Sequence, residues 1–351
     1  MFTNQIKWLV VVAHFGVLAA TGSAHAAGGK VFVADEGSNT VSIIDTTSLK
    51  TIGRVAVGQG PHNVQLAPDG KLLWVTNNGE PAKKNEKTPD AKMSKSGGMN
   101  MAGTAPGAVW AFDTATDKVV AKVPVGMHPA HVVVTPDGRH VYVANGGDNS
   151  VSVVDIAAQS VVATITVGAG PHGMRISPDG KQAWVANLKG GTVSVIDTES
   201  RKQIAQIAVG KGTAQVGFTP DGRFGFVSLS GENQVALIDP VSRKVIGKVA
   251  VGTVPIQVYA TPDSKLVLVA NQGSPKKPGT TVSFIDVAGL KVVATITTGA
   301  GAHGVVIDRD GRRAYVTNTY ANTVSVIDIR DRKVIATVPV GKEPNGISMA
   351  P

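Results

Sequence analysis

The sequence contains no cysteine among its 351 residues. Disulfide bonds, thiolate metal ligands and a lipid-modified N-terminal cysteine are therefore excluded together. Aromatic residues make up only 5% of the chain, and none are interleaved with basic residues in the way that supports stacking on nucleic-acid bases. The fold must accordingly be stabilised by packing, and specific nucleic-acid binding is not expected.

Residues 1–26 have the pattern of a secretory signal peptide. Lys7 precedes the apolar run from Trp8 to Ala20, which is too short to span a bilayer, and Ala24-His25-Ala26 supplies an A-x-A cleavage pattern. We expect a mature chain in the periplasm or secreted, with no transmembrane anchor. Loss of Lys7 lowers the formal net charge from +9 to +8, so the mature protein stays basic.

A unit of four short strands recurs seven times in the mature chain. In the copy at residues 140–181, the runs VYVAN, VSVVD and VVATITVG are followed by HGMRIS, and Gly, Asn, Asp and Pro separate them. The Asp that ends each third strand recurs at spacings of 68, 42, 42, 42, 47 and 42 residues. The pattern predicts an all-β protein: a single seven-bladed β-propeller with four strands per blade.

The two ends of the chain are predicted to meet in the first blade. The first repeat lacks an innermost strand, and the C-terminal PNGISMAP matches PHGMRISP of an internal repeat. We expect residues 345–350 to add that strand and so close the ring, which hides two open sheet edges. Residues 27–351 then form one propeller domain.

The longest departure from the repeat is an insertion in blade two, at residues 80–106. It has no apolar period and is rich in Lys, Gly, Ser and Pro, a composition typical of a mobile segment. Its position between the second and third strands predicts that it lies on the face that carries the turns into the innermost strands. We expect it to act as a flap over the channel mouth.

Histidines are concentrated in the turns that lead into the innermost strands. Of the six histidines of the mature chain, only His140 lies elsewhere; the others are His62, His128, His131, His172 and His303. A ring of imidazoles at a channel mouth is suited to binding a metal ion, a haem or an anion. The alternative is that PHG was copied with each repeat and has no function.

Four further side chains are candidates for cofactor binding. Gln215 and Gln257 share the aligned ring position beside the histidines, and Arg175 and Tyr259 lie two strand positions further in. Arg175 favours an anionic ligand unless it pairs with an Asp of a neighbouring blade. Neither ring position contains Asp or Glu, which argues against a calcium or magnesium site.

Methionines are expected near the same face. Met93, Met99 and Met101 lie in the insertion, and Met127 and Met174 adjoin histidine-bearing turns. Thioether sulfur suits Cu(I), while imidazole accepts Cu(I) or Cu(II). We therefore predict a copper site made by the five clustered histidines with Met93, Met99, Met101 and Met127, and haem is the less favoured cofactor. Methionine as ordinary packing material is the alternative.

Several motifs resemble the YVTN-repeat β-propeller family. They are YVTN at residues 315–318, TVSVID at residues 323–328 and the repeated PDG turns. The resemblance extends over nearly all of the mature chain, with local departures at Leu229, Ser264 and Arg309. It implies a secreted or periplasmic propeller, but members of one fold bind, scaffold or catalyse, so function must be argued from the site.

Three functions are compatible with these residues. The favoured one is binding of a metal, copper above others, or of a metal-containing cofactor at the histidine-lined mouth. The alternatives are a periplasmic protein-interaction scaffold and a lactonase or other hydrolase with a histidine base. Catalysis ranks lower because the chain lacks a nucleophile elbow, a phosphate loop and HExxH. We expect a monomer, with an envelope protein or redox partner as the candidate partner.

Overall fold

The computed structural model of the protein describes residues 29–79 and 106–349. Over these residues the chain forms 28 strands and one short 3-10 helix, Glu36–Ser38, and the strands make seven antiparallel sheets of four. Each sheet is one blade. The predicted all-β, seven-bladed propeller is confirmed.

Each blade runs from an innermost strand at the channel to an outermost strand at the rim. In that order, blade one contains β28 (Pro344–Met349), β1 (Lys30–Asp35), β2 (Thr40–Asp45) and β3 (Lys50–Ala56). Blade two contains β4 (Pro61–Leu66), β5 (Leu72–Asn77), β6 (Ala108–Asp113) and β7 (Lys118–Pro124). Blade three contains β8 (Pro129–Val134), β9 (His140–Asn145), β10 (Ser150–Asp155) and β11 (Ser160–Thr166).

The remaining four blades repeat the same order. Blade four contains β12 (Pro171–Ile176), β13 (Gln182–Asn187), β14 (Thr192–Asp197) and β15 (Lys202–Ala208). Blade five contains β16 (Thr213–Phe218), β17 (Gly225–Leu229), β18 (Gln234–Asp239) and β19 (Lys244–Ala250). Blade six contains β20 (Pro255–Ala260), β21 (Leu266–Ser274), β22 (Lys277–Asp286) and β23 (Lys291–Thr297). Blade seven contains β24 (Ala302–Ile307), β25 (Arg313–Asn318), β26 (Thr323–Asp328) and β27 (Lys333–Pro339).

The large apolar residue of each second strand forms the core between blades. Trp184 of β13 is fully buried and packs with Val216 and Val227 of the next blade. The equivalent residues are each at most 1% exposed: Phe32, Trp74, Tyr142, Phe226, Leu268 and Tyr315. Because each sheet covers the face of its neighbour, a blade buries both faces only when the ring is complete.

The polar residues of the repeat have a structural role. The side-chain amide of Asn145 donates to the hydroxyls of Ser150 (3.0 Å) and Ser152 (2.9 Å) on the adjacent strand. The same arrangement occurs at Asn187, Asn271 and Asn318. These bonds satisfy buried polar groups, which explains why Asn and Ser recur in VYVAN and VSVVD.

The C-terminal strand closes the ring, as predicted. β28 pairs antiparallel with β1, with Phe32 opposite Ser348 and Val33 opposite Ile347. The Gly341 N–H also donates to the carboxylate of Asp35 over 3.0 Å, and the Thr317 hydroxyl donates to the Asn345 carbonyl over 2.8 Å. Residues from both ends of the chain therefore complete one sheet.

Two expectations concern residues outside the described ranges. The signal peptide at residues 1–26 is one, and the flap at residues 80–106, of which the structure describes only Pro106, is the other. Within the described parts of the chain, no helix has the length and apolar character needed to cross a membrane.

Candidate functional site

Four of the innermost strands begin with a turn that directs an imidazole toward the channel. In β12 the pairing with β13 shifts register between Pro171 and Met174, so that His172 lies in a β-bulge. A bulge interrupts the regular alternation of a strand and redirects a side chain. The same irregularity accompanies three more histidines: His62, His131 and His303.

Three of these imidazoles come together as a compact group. His62, His131 and His172 each contribute one ring nitrogen to a group of three atoms that lie within 4.8 Å of one another. Nε2 of His62 and Nε2 of His172 are 3.3 Å apart, and the ring centroids of His131 and His172 are 5.0 Å apart. His303 lies beside the group, with its ring centroid 6.2 Å from that of His62. We call His62, His131 and His172 the three-histidine site.

The outer nitrogens of two of the rings are already engaged. Nδ1–H of His172 donates to the carbonyl of Ala214 over 3.0 Å. Nδ1 of His62 lies 3.3 Å from the carboxylate of Glu36, which also accepts a hydrogen bond from the Asn345 amide. Such outer partners hold the tautomer and orientation of a ligating histidine. Both rings therefore direct Nε2 toward each other.

The arrangement favours a positive ion between the rings. Two unprotonated nitrogens 3.3 Å apart place their lone pairs against each other unless a proton or a metal ion lies between them. His131 is 1% exposed, and neither of its ring nitrogens has a hydrogen-bond partner among the described residues. A buried polar group without a partner is costly, so an ion bound here satisfies several groups at once.

Burial keeps His131, His172 and His303 in the neutral form. Removal from water lowers the pKa of His172 to about 4, with the neighbouring His62 acting in the same direction. Burial also lowers the pKa values of His131 and His303 well below the ordinary range, and the surrounding imidazoles add to the effect. Neutral imidazole is the form that binds metal, so protons do not compete for His131 and His172 near neutral pH.

Glu36 adds a partly buried negative charge next to the site. Burial raises the pKa of its carboxyl, but the hydrogen bond and charge attraction from His62 and the bond from Asn345 outweigh this, so the pKa lies below its ordinary value. The carboxylate is ionised and belongs to the shell around the three-histidine site. Its charge favours a cation there.

Comparison with known proteins identifies the family. The sequence model of the YNCE-like beta-propeller family matches residues 99–224 and 275–350, which together make up more than half of the chain. The chain belongs to the YNCE-like beta-propeller family. The assignment supports the β-propeller family expected from the repeats, and the narrower YVTN-repeat name stays a resemblance.

A curated relative matches part of this YNCE-like propeller. The antigen Lp49 of Leptospira interrogans is 27% identical over 124 residues, which cover 35% of this chain and 25% of the antigen. The match therefore spans about a quarter of that relative's length.

Solved structures share the fold. The hydrazine synthase of Kuenenia stuttgartiensis has a TM-score of 0.69 and 26% identity, over 83% of this chain and 90% of that chain. The periplasmic gluconolactonase PpgL of Pseudomonas aeruginosa has a TM-score of 0.70 and 20% identity, over 92% of this chain and 99% of that chain. The gluconolactonase likeness shows the propeller fold alone.

The structure distributes the other candidate residues of this YNCE-like propeller over several places. His128 and Met127 lie in the loop between β7 and β8 and are not members of the three-histidine site. Met174, expected at the mouth, is instead fully buried in the core between blades three and four. Met93, Met99 and Met101 lie outside the described residues.

The predicted cofactor residues separate into two pairs. Gln215 is fully buried beside the histidines, with no hydrogen-bond partner for its side-chain amide in the described ranges. Gln257 accepts a hydrogen bond from the Val305 N–H over 3.1 Å. Arg175 and Tyr259 instead line a cavity toward the opposite end of the channel.

Sequence reasoning missed Glu36. The aligned ring positions contain no acidic residue, but Glu36 reaches His62 from the 3-10 turn Glu36–Ser38 between β1 and β2. That turn lies between the second and third strands of blade one, on the same face as the histidine turns. The sequence DEGSN, where other blades have NGGDN or NLKGG, was the available signal.

Replacement of Gly173 tests how tightly the shell around His172 is packed. A Cβ at this position would overlap the Gln215 side-chain oxygen and would lie 2.5 Å from the Ala214 carbonyl oxygen, the acceptor for His172. Gly173→Ala should therefore lower the free energy of unfolding by about 2 kcal/mol, as overpacking does. Urea unfolding measures this change.

Gly53→Ala is the matched control, because its added Cβ meets only the tip of Ile43 at 3.8 Å. The control should change stability by less than about 0.5 kcal/mol. Equal effects of the two substitutions would contradict the close packing at Gly173.

Proposed function

We propose that this protein is a periplasmic or secreted propeller that binds one transition metal ion, copper above others, at the three-histidine site. The observation that carries the proposal is the facing pair of Nε2 atoms of His62 and His172, 3.3 Å apart, whose Nδ1 atoms are held by Glu36 and Ala214. A third, buried imidazole from His131 lies within reach of the same ion.

The spacing of the ring nitrogens supports a shared ion. A tetrahedral ion with metal–nitrogen bonds of ~2.0–2.1 Å holds neighbouring ligand atoms about 3.3 Å apart. This value matches the observed 3.3 Å between the two Nε2 atoms. Three protein ligands leave a fourth position for water or an external ligand.

The donor set selects the class of metal. Three neutral imidazoles suit Cu(II), Zn(II) and Ni(II), whereas calcium and magnesium prefer oxygen ligands. Among these ions the Irving–Williams order places Cu(II) highest. Copper is therefore the preferred ion of this site, with Zn(II) as the competitor. Thioether ligation of Cu(I) by Met93, Met99 and Met101 remains an expectation from the sequence.

The alternatives have weaker support. The lactonase alternative rests on fold likeness to proteins such as PpgL, at 20% identity. A scaffold role does not explain why these imidazoles converge, or why His131 is buried with no hydrogen-bond partner among the described residues, because burial of such a group carries a desolvation cost. Metal binding accounts for that convergence.

Titration with metal ions tests the proposal. Metal-free protein should bind about one equivalent of Cu(II), measured by calorimetry and by metal content after dialysis, and binding should release a proton where one lies between the rings. His131→Ala should weaken Cu(II) binding at least about a hundredfold, because it removes one of three imidazole ligands. Zn(II) should bind more weakly at the same site.

His140→Ala is the matched control. His140 accepts a hydrogen bond from Arg201 and lies outside the three-histidine site, so its removal should leave Cu(II) affinity unchanged. The proposal is wrong if wild-type protein binds no Cu(II) at micromolar concentrations, or if the two histidine variants lose affinity equally.

A further inference from the structure

A cavity lies at the other end of the channel from the three-histidine site. It has a volume of about 500 Å³ and is lined by the last residues of innermost strands, such as Ile176 and Ile307, and by the turns that follow them. The histidines lie at the first residues of the same strands. A volume in the range of about 300–1,000 Å³ is typical of small-molecule sites.

Arg175 supplies the main charge of this cavity. It belongs to β12, and the exposed part of its side chain faces the cavity. Its guanidinium carbon lies 5.5 Å from the ring centroid of Tyr259, which also lines the cavity. No carboxylate in the described ranges forms an ion pair with Arg175. A secluded guanidinium without an acidic partner favours an anionic ligand.

A second cation reaches the same cavity through a departure from the repeat. The turns of blades two, three and four place Pro68, Pro136 and Pro178 in the lining, whereas blade seven places Arg309 there. Arg309 forms no ion pair within the part of the chain that the structure describes. Asp310, its neighbour, pairs instead with Arg312 over 3.1 Å.

The remaining lining combines neutral polar groups with apolar walls. Neither Asp nor Glu is among the described lining residues, and Gln65, Ser348 and Tyr259 add neutral polar groups. The Ser348 oxygen accepts a hydrogen bond from the Leu66 N–H over 3.1 Å, so its own proton is directed elsewhere. Val133, Val306 and Ile347 provide apolar surface.

From these observations we infer that the cavity binds a small organic anion, with its carboxylate or phosphate group on Arg175 and Arg309 and its apolar part against the valine and isoleucine walls. Planar guanidinium groups bind both kinds of oxyanion in a bidentate manner. This site is separate from the metal site proposed above and does not depend on it.

Calorimetric titration at low ionic strength tests the inference. The probes are phenyl phosphate, inorganic phosphate, benzoate and the neutral benzyl alcohol. Phenyl phosphate should bind more tightly than inorganic phosphate because its ring meets apolar surface, and benzyl alcohol should not bind. Comparison of phenyl phosphate with benzoate identifies which anionic group is preferred, and binding by either supports the site.

Substitutions at the two arginines locate the binding. Arg175→Gln should weaken phenyl phosphate binding about tenfold to a hundredfold, the usual effect of losing a charge-assisted hydrogen bond. Arg309→Pro restores the residue of the sister turns, and the Arg309 N–H donates no hydrogen bond among the described residues. This variant should therefore fold normally and weaken binding about threefold to tenfold.

Arg312→Gln is the control for general attraction of anions to a basic protein. Arg312 is in the same turn as Arg309, but its side chain is 80% exposed and does not line the cavity. Its replacement should leave affinity unchanged. The inference is overturned if wild-type protein binds no probe at millimolar concentration, or if Arg312→Gln weakens binding as much as Arg309→Pro. His131→Ala, which is expected to weaken metal binding, should leave anion binding intact.

Discussion

Truncation of the chain after Gly341 should abolish most of its stability. The deletion removes β28, which leaves β1 with an unpaired edge and takes Ile347 out of the core between blades one and seven. It also removes the Asn345 carbonyl that accepts the Thr317 hydroxyl. We expect a loss of at least about 5 kcal/mol, which is comparable to the whole stability of a small domain.

The measurement is urea or thermal unfolding of the truncated and full-length chains. A synthetic peptide of residues 342–351 added in trans should restore part of the melting temperature, because it supplies the missing strand. A scrambled peptide of the same composition should not. A truncated chain that melts within a few degrees of the full-length protein would show that the ends contribute little to closure.

Metal-free protein should lose stability steeply as the pH falls from about 6.5 toward 4. His131 and His303 are buried and His172 is partly buried, and removal from water holds the pKa values of all three below 6.5 in the folded state. The unfolded chain therefore takes up protons first, and each proton bound there pulls the equilibrium toward unfolding. The stabilising contribution is complete above pH 6.5 and is lost on acidification.

The magnitude follows from the size of the shift. A pKa of about 4 for His172, against an ordinary value near 6.5, corresponds to roughly 3 kcal/mol. His131 and His303 add in the same direction. Urea midpoints measured in chelator between pH 7.5 and 4 should reveal the slope.

Combined replacement of these three histidines by asparagine should flatten the pH profile over that interval. His140→Ala should leave it as steep as in the wild type, since His140 lies outside this group. An equally steep profile in the triple variant would assign the acid sensitivity to other groups. Asp35 is not the cause, because burial raises the pKa of its carboxyl and such a group favours the folded state on acidification.

Part of the candidate site followed directly from the sequence. The alignment of repeats placed His62, His131, His172 and His303 at the entry to innermost strands, and the structure brings these four imidazoles close together. The alignment did not separate His128 from these four histidines, because His128 lies only three residues before His131 in the sequence. The β-bulge between Pro129 and Val132 decides which of the two side chains enters the cluster.

Blade number, strand order and ring closure were all predictable from the amino-acid sequence. These properties depend on local alternation of β-branched residues and on a repeat of nearly constant length, which are both visible in one dimension. The same repeat explains the buried second-strand residues, such as Trp184 and Tyr142.

The grouping of side chains into sites, by contrast, depends on how the blades are arranged in space. Glu36 meets Asn345 although 309 positions separate them in the chain, because ring closure makes the C-terminal strand part of the first blade. Arg175 lies only three residues from His172, yet its side chain lines the cavity toward the other end of the channel. The innermost strand runs along the channel and rises about 3.3 Å per residue, so residues a few positions apart on one strand lie at different ends of the channel. Residues at equivalent positions of different blades lie at the same end.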